Sequence, residues 1–105
     1  ALFRKNDWQR VLEVIKPFDQ PEAPAEVLSL LGRTYQSINQ FAQATVYYEQ
    51  YLNRFGLNVD ILNYLGTCYF QLGDRDRALA IWEKSLSIDS SQNRLKELVR
   101  SLKED

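Results

Sequence analysis

Apolar residues recur along this chain at helical spacing in six blocks, separated by short polar breaks. In the first, Trp8, Val11, Leu12 and Ile15 fall at i, i+3, i+4 and i+7, which is one face of an amphipathic helix. Asn6-Asp7 ahead of them reads as a turn with Asp7 as N-cap, and Pro17 ends the helix near Lys16. The segment Pro17 to Pro24 has no apolar period and reads as a connector. The next block, residues 25–37, puts Leu28, Leu31, Gly32 and Tyr35 on one face. Residues 41–55 align Phe41, Ala44, Tyr48, Tyr51, Leu52 and Phe55, after which Gly56 is a helix stop and Asn58 an N-cap. A fourth helix begins at Val59 and carries Ile61, Leu62, Leu65, Gly66 and Tyr69. Gly73-Asp74 turns the chain, with Asp74 as cap, and Ala78, Leu79, Trp82 and Leu86 face back. The last helix lies within residues 91–105, with Leu95, Leu98, Val99 and Leu102 at helical spacing among charged residues. The pattern predicts an all-α fold of about six helices in antiparallel pairs.

Two of these pairs are copies of each other. Leu28, Leu31, Gly32, Tyr35, Ala44, Glu49 and Leu52 are each repeated 34 residues later, as Leu62, Leu65, Gly66, Tyr69, Ala78, Glu83 and Leu86. Chance gives about two or three identities in such a window at ordinary composition. Substitutions between the copies keep size and polarity: Val27 to Ile61, Ile38 to Leu72, Tyr48 to Trp82. Glycine within a helix costs about 1 kcal/mol relative to alanine. Its recurrence at Gly32 and Gly66 therefore predicts close helix approach, with Ala44 and Ala78 opposite and Tyr48 and Trp82 filling the space beside the contact. Asn39 and Gly73, and Asn6 before them, occupy equivalent turns that call for a left-handed residue.

Leu-Gly-x-x-Tyr, then Ala, then an aromatic, at a period of 34, resembles the tetratricopeptide repeat. Departures from that family's pattern are Leu28 and Leu62 in place of Trp, Tyr51 and Ser85 in place of the second Ala, and Gly56 and Ser90 in place of the closing Pro. The resemblance divides the chain into the C-terminal part of a truncated repeat (1–18), two repeats (25–58 and 59–92) and a capping helix (91–105), all in one domain. It implies a right-handed solenoid of stacked helix pairs. With Ser85 in the place of Tyr51, the following layer is expected to meet a smaller surface.

Composition narrows the function. The chain is 45% apolar and 26% charged, as expected of a soluble globular domain, and no apolar run is long enough for a membrane span. It lacks methionine even at the first position, so it reads as a processed product or an excised piece. Thirteen basic and 14 acidic residues, mixed in sign, give a net charge of -1 and no field to collect nucleic acid. No histidine is present, and Cys68 is the one cysteine, so neither a disulfide nor a cysteine-based metal cluster can form. The lone thiol fits a reducing compartment, which favours the cytoplasm. Cys68 replaces Thr34 at a core position, and Asp74 and Asp76 read as a cap and a solvated first turn rather than an acid/base pair. Tyr48, Tyr51 and Phe55 lie on the core stripe, leaving only Tyr47 at its margin, so they do not read as a stacking platform. Neither an enzyme nor a cofactor is expected.

The remaining surface is the face opposite Leu28 and Tyr35. It presents Glu26, Ser29, Leu30, Arg33, Gln36 and Ser37, then Asp60, Asn63, Tyr64, Thr67, Phe70 and Gln71 on the equivalent helix. In proteins resembling this one, the first helix of each pair lines a concave groove. The resemblance thus implies binding of a protein or peptide segment through Leu30, Arg33, Asn63, Tyr64, Thr67 and Phe70. Tyr64 and Phe70 supply apolar area, Arg33 a partner for a carboxylate, and Asn63 a bond to the ligand backbone. Some co-chaperones of this family grip carboxylates of chaperone tails through Lys, Asn, Asn, Lys and Arg. The matching places here hold Ser29, Arg33, Asn63, Arg94 and Leu98, a broken set that implies no strong binding of such tails. The alternative is an architectural segment of a longer solenoid of this kind that mediates assembly through its exposed packing ends, self-association among them.

Overall fold

The computed structural model describes residues 23–104, all of whose regular structure is helical. The helix expected within residues 1–18, with the turn at Asn6, lies outside the described residues. Five helices follow: α1 (Ala25–Ser37), α2 (Phe41–Phe55), α3 (Val59–Gln71), α4 (Arg75–Ile88) and α5 (Asn93–Glu104). Their bounds follow from local chemistry. Asn58 accepts a hydrogen bond from the Ile61 N–H (3.1 Å) and Asp74 one from the Arg77 N–H (3.2 Å), so α3 and α4 are capped as expected. Asn39 (φ 62°) and Gly73 (φ 82°) take the left-handed conformation. The two turns also share their hydrogen bonds: Gln40 N–H to Tyr35 O and Asp74 N–H to Tyr69 O are both 2.9 Å. Gly56 (φ 90°) ends α2.

Connections this short force neighbouring helices to run antiparallel, giving the hairpins α1–α2 and α3–α4. Within each, the glycine face carries an aromatic ring. A methyl group at Gly32 would lie within 3.0 Å of three Tyr48 ring atoms, and one at Gly66 equally close to Trp82. The rings therefore sit on the glycines themselves rather than beside them, which explains why the costly residue occurs twice. Leu28, Leu31, Ala44, Leu62, Leu65 and Ala78 complete the core, all at most 1% exposed. Burying a leucine of this kind stabilises by about 1.5–3 kcal/mol. The hairpins meet through α2 and α3, and α5 packs on α4. Val99 of α5 is buried, Leu95 and Leu102 are half-buried, and Lys103 reaches Glu83 at 2.7 Å.

Two expectations are corrected. Phe55 is not a core residue: it is 46% exposed, held at the surface by Tyr51 (5.6 Å between rings) and the Arg54 guanidinium (4.9 Å). It lies in the last turn of α2, beyond the reach of the layer that covers Tyr48. Tyr47, expected at the margin of the core, is half-buried and stacks on Tyr35 at 5.5 Å. Ser85 does not leave a reduced surface. It is fully buried because the Gln92 side chain, at the start of α5, donates to its hydroxyl (3.1 Å) and carbonyl (3.3 Å).

Candidate functional site

The first turns of α1 and α3 flank an open recess of about 380 Å³. Glu26, Leu30 and Arg33 line it from α1, and Asp60 and Tyr64 from α3. Glu26 and Asp60 occupy the same place in the two repeats, as do Leu30 and Tyr64, so the 34-residue period itself brings these pairs together. The three charged residues are exposed, and none holds an ion pair among the described residues. Tyr64 was expected to stand clear of the core. It is instead half-buried, with its ring stacked on Tyr48 at 5.7 Å, because α3 packs directly over α2. Tyr48 donates its phenol proton to Gln36 Oε1 (2.7 Å), so this half-buried side chain is engaged by α2. Burial holds the Tyr48 phenol well above its ordinary pKa.

Asn63 and Thr67 belong to a different recess. About 260 Å³ in volume, it is lined by these two residues with Trp82 of α4 and Arg94, Leu95 and Leu98 of α5. Asn63 donates to Gln92 Oε1 (2.7 Å), while its own Oδ1 is buried without a partner. The Thr67 hydroxyl donates to the Asn63 carbonyl (3.0 Å). Phe70 lines neither recess; it is 41% exposed and rests against Trp82 at 5.8 Å. The six expected site residues thus divide into Leu30, Arg33 and Tyr64, then Asn63 and Thr67, then Phe70 alone. The reason is angular: six residues along a helix rotate a side chain by about 240°, so Tyr64 and Phe70 cannot share one narrow strip. The five places compared with the chaperone-tail pattern are split likewise, Ser29 and Arg33 in the first recess and Asn63, Arg94 and Leu98 in the second.

Gln92 is a residue that the sequence reading missed, though its signal was present. It stands 34 residues after Asn58, and Asn58 bonds back to Tyr51 (3.5 Å) as Gln92 bonds back to Ser85. A further recess of about 410 Å³ lies between α4 and α5, around Leu86 and Val99 and rimmed by Glu83, Lys96 and Lys103.

None of these places assembles a reaction centre from the described groups. Cys68 is fully buried and burial pushes its thiol up to about 12, the reverse of what a nucleophile needs. Asp74 is committed to capping and to an ion pair with Arg77 at 3.4 Å. No three metal-ligating side chains cluster among the described residues, and no described helix is long and apolar enough to cross a membrane.

Comparison with known families finds two matches. Two models, each described as tetratricopeptide repeat, match residues 25–54 and 59–91. Among curated proteins, none matches the chain significantly.

Proposed function

Because the chain belongs to the tetratricopeptide repeat family, we propose that it works by binding, as a protein-interaction module whose helix pairs form part of a right-handed array. An extended segment of a partner protein occupies the recess between α1 and α3. The observation that carries this reading is the pairing of Leu30 with Tyr64 across an open recess that also holds Arg33. Apolar area flanked by a guanidinium with no ion pair among the described residues suits a peptide with an apolar side chain and a carboxylate. The test is selection of peptides from a random displayed library on the immobilised chain, followed by calorimetry. Leu30→Ala and Arg33→Gln should each weaken the selected peptides by about fivefold or more. Unchanged affinities in both variants would remove the recess from consideration.

A second reading has its own observation. Leu72 and Leu98 are exposed, and the recess around Leu86 and Val99 is open. These surfaces suit assembly with a further copy or a further repeat. Light scattering across a concentration series tests it: a constant mass sets self-association aside.

A further inference from the structure

The charges around the α1–α3 recess define which segment it accepts. We infer that it takes an extended peptide with a basic side chain and an acidic side chain about three residues apart, on either side of an apolar one. This rests on the reading that the recess binds a peptide. Glu26 and Asp60 face the same recess from the first turns of two helices. Neither carboxylate is ion-paired among the described residues. A carboxylate in a first turn complements the helix dipole, which explains the sign of each residue. The 34-residue period then places both on one cavity, where a lysine or arginine head meets two acceptors at once.

Arg33 lies seven residues beyond Glu26 on α1, about 10 Å along the axis. An extended polyproline-II chain, with three residues per turn, covers about 9 Å in three residues and brings both side chains to one face. Leu30 stands between the two charged positions, with Tyr64 across from it, so the apolar side chain of the ligand falls between its charges. A segment with two acidic groups would bring one of them against Glu26 and Asp60. A neutral segment would leave all three charges unanswered.

Two short peptides with blocked ends test this by fluorescence anisotropy: one with lysine and glutamate three apart around leucine, the other with the lysine replaced by glutamine. The first should bind about five- to tenfold more tightly at low salt, and the advantage should shrink as salt rises. Glu26→Gln and Asp60→Asn, singly and together, should reduce that preference stepwise, with the glutamine peptide little affected. Leu30→Ala should weaken both peptides. If Leu30→Ala weakens both peptides but the lysine preference is absent or survives the double substitution, the charge assignment falls while the peptide groove stands. If Leu30→Ala and Arg33→Gln leave both peptides unchanged, the groove falls and this assignment with it. Failure of both peptides to bind also overturns the assignment.

Discussion

The two hairpins share a 34-residue pattern and the same turn geometry, yet they differ in how they are finished. In α1–α2 the turn residue Ile38 is 5% exposed; in α3–α4 its counterpart Leu72 is 47% exposed. In the first, Tyr51 occupies the place where the second has Ser85 with the Gln92 amide laid on it. The caps differ in the opposite sense. The α1 and α2 N-termini have no side-chain cap, whereas α3 and α4 have Asn58 and Asp74. Beyond the first hairpin stands the whole second hairpin; beyond the second, among the described residues, stands α5. The caps do not follow coverage: the second hairpin packs against the first through α3 and against α5 through α4, and it also has the side-chain caps.

The aromatic rings on the two glycines carry the most stability. Tyr48→Ala and Trp82→Ala should each cost about 3–5 kcal/mol, with Tyr48 the costlier. Tyr48 is fully buried and stacked on Tyr64 across the hairpin interface, while Trp82 borders the open recess of Asn63 and Leu98. Urea midpoints decide it; a larger loss for Trp82→Ala would show that the second hairpin is the better packed.

A second effect separates the hairpins by titration, because Cys68 in α3 stands where α1 has Thr34. The thiol is raised from 9.0 to about 12 in the folded chain. Above pH 9 the unfolded chain releases this proton and the folded chain keeps it, so stability falls as pH rises, by up to about 1.4 kcal/mol per pH unit for one group. Tyr48 adds to the loss only nearer its ordinary value of 10.0. Between those values Cys68→Thr should flatten the dependence of the urea midpoint on pH. A slope identical to that of the parent chain would contradict the assignment to Cys68.

The smallest effect tests the caps. Gln40 (φ -96°, ψ 72°) and Asp74 (φ -94°, ψ 76°) share one backbone conformation, but only Asp74 bonds back to its helix. Gln40→Asp should stabilise by about 1 kcal/mol and Asp74→Ala should destabilise by about the same amount. Thermal melts giving no gain for Gln40→Asp would mean that packing around α2 already fixes its first turn.

Features that depend on near neighbours along the chain were legible from the residues alone. The helices at residues 25–37 and 41–55 match their expected bounds, the next begins at Val59, the left-handed turns fall at Asn39 and Gly73, and Asn58 and Asp74 serve as caps. Each of these is set within a few residues by backbone sterics and side-chain hydrogen bonds. The glycine–aromatic contacts were also legible, because a costly residue repeated at a fixed period requires a packing reason. Helical spacing, however, assigns a residue to a face and leaves open what that face meets. Only the packing of α3 over α2 drew Tyr64 onto Tyr48 and out of the free surface. Only the seating of α5 joined Asn63 to Gln92 and separated it from Arg33, while the rotation of α3 left Phe70 beside Trp82. Those outcomes depend on the distance and angle between helices, which arise from side chains interlocking across elements far apart in the chain.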